Sequence, residues 1–369
     1  MEISVKVPEL AKALQRVQGI VEKKSAVPTL ANALIKTQGQ DRITVSATDL
    51  EISLIADYPA EVIAPGAITL GARALYDIVR SLPEKDVKLK LVQGQRVEIT
   101  CGRVKYRVNG TEPDTFPTLP SFDQLELEGI EPALFRDMIE KTLYAVSNDE
   151  TRYNLTGVFC EPMGETEGLR MVATDGHRLS IVERPMKVAE SFGAGVIIPK
   201  KGLNELKKLL EDRDGEAKLG FVESSAVFER DGVTLFMRLV DGRFPDYQQV
   251  IPTNLTRQVF IDRQALQNAL RRTSVLSPDK AQGVKLELEA GRLSLSANNP
   301  DLGDAREEIE VGFEGEPLTI GFNFRYLLDV MSVIDEEEVM MELTDDLSPG
   351  VLSGRGSSGY RAVIMPMRI

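Results

Sequence analysis

This chain repeats itself at intervals of about 125 residues. The stretch VSATDLEIS at 45–53 is echoed by MVATDGHRLS at 171–180 and more weakly by LSANNPDLGD at 295–304. The Ala-Thr-Asp triplets begin at Ala47 and Ala173, and Ala-Asn-Asn begins at Ala297, at spacings of 126 and 124 residues. A chain of 369 residues holds three such units. Each has the usual size of a domain, so three similar domains are expected.

Each unit is itself doubled. A short strand-like run followed by a helical pattern appears as EISVKVPELAKALQRV (2–17), LEGIEPALFRDMIEKTLYAV (127–146) and QVFIDRQALQNALRRTSVL (258–276). The same order returns in ITLGARALYDIVRSLP (68–83), VIIPKKGLNELKKLLED (196–212) and LTIGFNFRYLLDVMSVID (318–335), where Leu75, Leu203 and Leu327 hold equivalent places. Apolar residues three and four apart, such as Leu10, Ala13, Leu14 and Val17, predict helices over 8–17, 72–81, 131–146, 199–212, 262–275 and 323–334. Between them, RITVSATDLEISLIA and RVEITCGRVKYRV alternate as half-buried strands do. The fold class is therefore α+β. Proline-rich joins at 112–120 and 241–252 divide the chain into domains 1–122, 123–252 and 253–369.

Composition narrows the classes of function. The chain is 42% hydrophobic and 27% charged, as a globular protein is. Its start carries Glu2 and Lys6 and lacks a signal-peptide core, and no stretch approaches the ~20 apolar residues of a membrane span. Two distant cysteines, Cys101 and Cys160, suggest a reduced cytosolic protein, and with a single histidine they argue against a structural zinc site. Net charge is −13, which taken alone argues against binding nucleic acid. The distribution differs from the total: the six predicted helices hold 14 basic and 10 acidic residues, net +4, leaving −17 elsewhere. A basic helical layer suits phosphates, although Lys and Arg are also simply good helix formers. Near the ends of the chain, a basic strand pair (Arg96, Arg103, Lys105, Arg107) contrasts with an acidic segment (Asp301, Asp304, Glu307, Glu308, Glu310). These are either two solvated faces or the halves of a head-to-tail contact able to close a ring.

Motifs for catalysis are weak. GRGSSG at 354–359 lacks the following helix of a dinucleotide site and reads as a strand connection. No phosphate-binding loop of the G-x-x-x-x-G-K-[ST] type occurs. Asp175 and His177 suggest part of a hydrolase triad, but the first repeat has the same Ala-Thr-Asp with no histidine, which makes the aspartate a turn residue of the scaffold. DEEEV at 335–339 reads as a solvated turn. The terminal VIMPMRI is either a final edge strand or the adaptable wall of a peptide pocket.

VATDGHRL, LVDGRFPDYQQVIP, IGFNFRYLLDV and the terminal MPMRI make the chain resemble the bacterial sliding clamps, the beta subunits of DNA polymerase III, over its whole length. The resemblance implies three clamp domains, each with two helices packed on antiparallel sheets, closing as a head-to-tail dimeric ring with helices lining the hole. Geometry agrees with two chains: six helices about 10 Å wide enclose a hole of only about 9 Å, and twelve enclose about 28 Å, enough for a duplex roughly 20 Å across. The implied function is non-catalytic: a processivity factor that encircles double-stranded DNA and tethers the polymerase III alpha subunit, other polymerases and repair proteins through short peptides. Such peptides carry a glutamine and terminal Leu or Phe anchors. An ATP-driven clamp loader opens the ring, no cofactor or metal is needed, and the location is cytoplasmic, with the nucleoid.

The pocket implied by the resemblance lies between the second and third domains. It comprises Leu155, Thr174, Gly176, His177, Arg178, Leu179, Pro245, Val250, Asn323, Tyr326, Leu347, Val363, Met365, Pro366, Met367 and Arg368. Implied DNA contacts fall at Lys24, Arg73, Asp149, Tyr153 and Asn154, and charge adds Lys23, Arg80, Lys200 and Lys201. The implied dimer interface uses Arg96, Arg103, Lys105, Tyr106 and Arg107 against Val275, Leu276, Asp301, Asp304, Glu307 and Glu308. Asp149, Asn154, Gln248 and Gln249 depart from the pattern, being acidic or neutral where the family often places basic or aromatic groups. Two other readings remain: a scaffold of the same shape that does not encircle DNA, and a hydrolase using His177.

Overall fold

The computed structural model describes every residue except 23–26, 84, 121–124, 126, 165–166, 188–191, 212–214, 278–281, 358 and 369. Lys23 and Lys24 thus lie outside the described residues. Packing divides the chain into two compact units, 1–132 with 201–239 and 133–200 with 240–369. These units cut across the sequence repeats because strands of successive repeats pair. Val233–Arg238 of the second repeat joins Ile52–Pro59 of the first, and Tyr360–Ile364 of the third joins Arg178–Arg184 of the second.

Every strand pairing among the described residues is antiparallel. The first unit holds one sheet of thirteen strands, in the order Glu128–Ile130, Ala217–Val222, Ser225–Arg230, Val233–Arg238, Ile52–Pro59, Arg42–Thr48, Asn32–Gln38, Ala67–Gly71, Val104–Thr111, Arg96–Cys101, Asp86–Val92, Glu2–Lys6 and Glu61–Ala64. The second unit holds an eight-stranded sheet, in the order Val196–Pro199, Gly157–Pro162, Leu169–Thr174, Arg178–Arg184, Tyr360–Ile364, Gly350–Gly354, Glu338–Leu343 and Arg257–Asp262. It also holds a four-stranded sheet, Gly303–Glu310, Arg292–Asn299, Gly283–Glu289 and Leu318–Asn323. Gly354 ends one strand and Tyr360 begins its antiparallel neighbour, so GRGSSG is the strand connection expected of it.

Six α-helices are described: α1 (Val7–Val17), α2 (Ala72–Arg80), α3 (Pro132–Leu143), α4 (Lys200–Leu209), α5 (Arg263–Thr273) and α6 (Phe324–Val333). All six lie where the apolar period predicts them, with ends shifted by at most three residues, and each follows a strand within two residues. In α1 the predicted Leu10, Ala13, Leu14 and Val17 are buried, and Pro8 sits in the first turn, where its missing N–H costs nothing. Asp262 caps α5 by accepting from Ala265 N (2.6 Å), and Asn323 caps α6 by accepting from Arg325 N (2.9 Å). Within the first unit α1 packs on α2, and within the second α5 packs on α6. None of the described helices is long and apolar enough to cross a membrane.

Candidate functional site

The histidine singled out in the sequence sits on a turn that the chain builds twice. In the second unit Thr174 Oγ1 donates to Arg178 O (2.7 Å) and accepts from Gly176 N (3.1 Å). Asp175 Oδ1 accepts from His177 N (2.9 Å) and Arg178 N (3.0 Å). In the first unit Thr48 Oγ1 donates to Ile52 O (3.1 Å) and accepts from Leu50 N (3.0 Å), while Asp49 Oδ1 accepts from Glu51 N (3.0 Å) and Ile52 N (2.6 Å). Asp175 therefore spends one oxygen on backbone amides and the other on Arg178 Nε (3.1 Å). A catalytic triad needs its acid on the histidine ring. This acid shapes a turn instead, and His177 is exposed at the tip.

The C-terminal strand lies against this turn. Leu179 faces Val363 across the ladder and Arg178 faces Ile364; Met365 N then donates to His177 O (2.9 Å). Two residues on, Met367 N donates to Gly321 O (2.8 Å), which carries the tail to the strand ending at Asn323. The predicted pocket residues separate into a floor and a rim. Leu155, Leu179 and Val363 are buried in one apolar cluster with Val172, Ile181, Ile197, Phe244, Tyr247 and Val351. Their ~1.5–3 kcal/mol of burial each is already spent on the fold. His177, Pro245, Val250, Leu347 and Met365 are exposed, and Leu347 is 69% so, which leaves apolar area open to solvent. Thr174, Asn323, Tyr326, Pro366 and Met367 are half-buried, and Gly176 and Arg368 are exposed.

Sequence reasoning missed the aromatic half of the floor. Phe159 stacks on Phe244 with centroids 5.1 Å apart, and Phe244 meets Tyr247 edge-on at 6.4 Å. Tyr247 Oη donates to Glu161 Oε1 (2.5 Å) and accepts from Arg170 Nη1 (3.1 Å). Burial and the bond to Glu161 push its hydroxyl pKa above the usual value. The FPDY run holds two of these aromatics, but its proline marked it as a join.

Arg178, one of the residues the resemblance implies for the pocket, is held by several partners within the unit. Its guanidinium donates to Asp175 Oδ2, Asp329 Oδ2 (2.5 Å) and Tyr144 O (2.6 Å), and it stacks over the ring of Tyr326 at 4.4 Å. Burial pulls its pKa down, but Asp329 and Asp175 more than offset that, so it stays charged. Arg178 therefore fastens the turn to α6 beneath the rim.

Comparisons with known proteins decide the family. Family models match the chain in succession: the DNA polymerase III beta subunit N-terminal domain over 1–120, its central domain over 129–246 and its C-terminal domain over 248–368. The chain belongs to the DNA polymerase III beta-subunit family. The Beta sliding clamp of Pseudomonas putida is 37% identical and that of Escherichia coli K12 is 34% identical, each over the full length of both chains. Among solved structures, the sliding clamp of Bartonella birtlesii bound to griselimycin superposes with a TM-score of 0.95 at 35% identity, covering all of both chains. The Caulobacter crescentus clamp superposes at 0.94 with 36% identity, covering all of this chain and 99% of that one.

The residues expected at DNA in this family are unequal. Arg73 and Arg80 lie seven apart on the exposed side of α2, and Arg80 lies 5.8 Å from the Tyr76 ring centroid. Tyr153 is 57% exposed, and its ring would lie 3.1 Å from a Cβ at Gly242, whose φ of +108° is itself one that favours glycine. Asp149 is a cap: its carboxylate accepts from Thr151 N (3.0 Å), Thr151 Oγ1 (2.6 Å) and Arg152 Nε (3.0 Å). Those bonds hold its pKa below the usual carboxylate value, which accounts for an acid at this position. Asn154 donates to Arg243 O (3.0 Å). Lys200 donates to Asn148 Oδ1 (2.8 Å), with its pKa lowered by burial and by Arg178. Lys201 is bound to Asp49 Oδ2 and to Ile20 O (3.0 Å), so any phosphate must compete with a carboxylate for it.

The residues expected at a subunit interface lie on or beside two strands with an unfilled side, apart from Val275 and Leu276 on the short turn Ser274–Leu276. Val104–Thr111 pairs along its length with Arg96–Cys101, but with Ala67–Gly71 only through Gly110 and Thr111. Gly303–Glu310 is the outermost strand of its sheet. Val275 is 73% exposed and Tyr106 37%. The expected charges are partly paired within the chain: Glu98 holds Lys105 (3.1 Å) and Arg107 (2.7 Å), and Glu307 holds Arg272 through two contacts (2.5 and 2.8 Å). Arg96, Arg103, Asp301 and Asp304 are exposed, and Leu276 is half-buried.

Proposed function

We propose that the chain is a sliding clamp that closes head to tail with a second copy around duplex DNA, with domains 1–122, 123–252 and 253–369. It works as a non-catalytic accessory subunit of DNA polymerase III, in the cytoplasm with the nucleoid. The observation that carries this reading is the run of three beta-subunit domain matches through the whole chain. Two open-edged strands, Val104–Thr111 and Gly303–Glu310, support a ring closed by strand pairing between copies. Weak phosphate contacts from exposed residues such as Arg73 and Arg80 suit sliding, since a closed ring is retained by topology and needs no tight grip.

Partner peptides from the polymerase alpha subunit, the clamp loader, other polymerases and repair proteins seat in the floor of Leu155, Leu179 and Val363. His177, Val250, Leu347 and Met365 fold over their apolar anchors. The test loads the protein with its loader and ATP onto nicked circular DNA, washes, and linearises half of the sample. Release only after linearisation is expected. Equal retention on both forms means ordinary groove or phosphate binding and overturns the ring.

A further inference from the structure

The floor of the proposed pocket lies on one face of a sheet, and a row of charges crosses the same face further along. Side chains alternate between the two faces of a strand, so residues two apart share a face about 7 Å from one another. In three neighbouring strands Phe159, Val172 and Ile181 lie opposite one another, and two residues further along Glu161, Arg170 and Glu183 do the same. The residues between the two rows, Cys160, Met171 and Val182, are buried on the opposite face. The apolar row packs in the cluster that holds Leu155, Leu179 and Val363. The charged row is half-buried and bonded along its length: Arg170 donates from Nε to Glu183 Oε1 (2.6 Å) and from Nη1 to Glu161 Oε1 (3.0 Å). Burial pulls the Arg170 pKa down, but the bonds to Glu183 and Glu161 more than offset that, so it stays charged.

Tyr247 joins the two rows. Its ring lies in the apolar cluster, while its hydroxyl donates to Glu161 Oε1 (2.5 Å) and accepts from Arg170 Nη1 (3.1 Å). Tyr247 also opens the short turn Tyr247–Val250, in a stretch, 241–250, that belongs to no strand. This stretch carries Phe244 and Tyr247 of the floor and Pro245 and Val250 of the rim. Asp246 precedes the turn without capping it. Side chains hold the stretch instead: Phe244 stacks on Phe159, Asn154 donates to Arg243 O (3.0 Å), and Tyr247 bonds the charged row. Stacking sets the separation of two rings, whereas two hydrogen bonds on one oxygen also fix its direction, and bonds to ionised partners are the stronger kind.

We infer that Glu161 and Arg170 are positioning residues of the peptide pocket: through the Tyr247 hydroxyl they fix the stretch 244–250, and with it the rim residues Pro245 and Val250, where a partner's apolar anchor meets them. The inference rests on the peptide-pocket reading and deepens it. Neither residue belongs to the pocket expected from the sequence. A rim that is in place only part of the time binds with an affinity reduced by that fraction, so occupancy of about a third to a tenth weakens binding about three- to tenfold.

The test is a double-mutant cycle on the full chain, read by fluorescence anisotropy with a labelled peptide bearing a glutamine and a terminal Leu-Phe. Tyr247→Phe keeps the ring and removes the hydroxyl, and Glu161→Leu removes its acceptor. Each is expected to weaken binding about three- to tenfold, and the double variant to bind no more weakly than the weaker single, because both break one linkage. Glu161→Gln keeps an acceptor oxygen and is expected to recover most of the affinity. Urea unfolding of each variant reads stability separately; lower midpoints with unchanged peptide affinity would make the row structural only and overturn the inference. Wild-type affinity in Tyr247→Phe, losses that add in the double variant, or no recovery in Glu161→Gln would overturn it as well, and the pocket reading would stand. Tyr247→Phe changes a single oxygen and decides the matter alone if Glu161→Leu does not fold. If the peptide does not bind wild-type protein, both readings fall.

Discussion

The turns at 48–52 and 174–178 have the same backbone and different surroundings. Both follow a strand ending in Ala-Thr, both are closed by a threonine hydroxyl and an aspartate, and both receive a strand from the next repeat: Arg238 N donates to Glu51 O (2.8 Å) as Met365 N donates to His177 O (2.9 Å). In the first unit, Leu50 occupies a left-handed position at φ +79° and the strand arriving beside it ends in a charged Arg238. In the second, Gly176 takes that conformation at φ +89° and the arriving strand ends at Ile364 and continues into Met365 and Pro366. Where the second unit puts Tyr326 on α6 to carry the stacked Arg178, the first has Gly202 on α4 packed against Met237. The scaffold is therefore common, and the proposed site rests on the few side chains that differ.

The largest expected effect breaks the second turn from beneath. Arg178→Ala leaves Asp329, Asp175 and Tyr144 O without their donor and is expected to cost about 3 kcal/mol, read as a lower midpoint in urea unfolding. Next come substitutions that exchange the two left-handed residues. Leu50→Gly relieves a strained, exposed position and should stabilise by roughly 0.5 kcal/mol. Gly176→Ala imposes strain and sets a Cβ 2.8 Å from Arg152 Nη1, and should destabilise by about 1–2 kcal/mol. Equal effects at both turns in thermal unfolding would refute the distinction between them.

His177→Ala touches only the rim. It should weaken binding of a Gln- and Leu-Phe-bearing peptide about five- to tenfold by calorimetry, about 1–1.4 kcal/mol, with no change in unfolding midpoint. Loss of stability with unchanged affinity would make His177 structural. The smallest effect concerns pH. Asp149 has a folded pKa below its unfolded value, so its cap contributes above the ordinary carboxylate range and is lost as pH falls through the lowered folded pKa. The Thr151 amide resonance should shift over that interval in wild type and not in Asp149→Asn.

Much of this was legible in the sequence. The apolar period located all six helices, because amphipathic spacing is a local property. The Ala-Thr-Asp echo identified Asp175 as a turn residue, because a turn's hydrogen bonds close within four residues. The pairing of Val233–Arg238 with Ile52–Pro59 was not legible, since strand partners far apart in sequence carry no local signature. The same holds for Arg178: nothing near it announces Asp329, 151 residues away. Lys201 read as a free cation for the same reason, because its partner Asp49 belongs to the preceding repeat. Asp149 was recoverable, since an acid two residues before a threonine at the start of a helical turn is a capping pattern.

The most direct test of the account is amide hydrogen exchange on the full chain with and without the Gln- and Leu-Phe-bearing peptide. Protection is expected at 176–179 and 363–367, with no change at 50–53 and 236–239. Protection at both junctions, or at the first alone, would contradict the claim that one shared scaffold carries a binding rim in only one of its two copies.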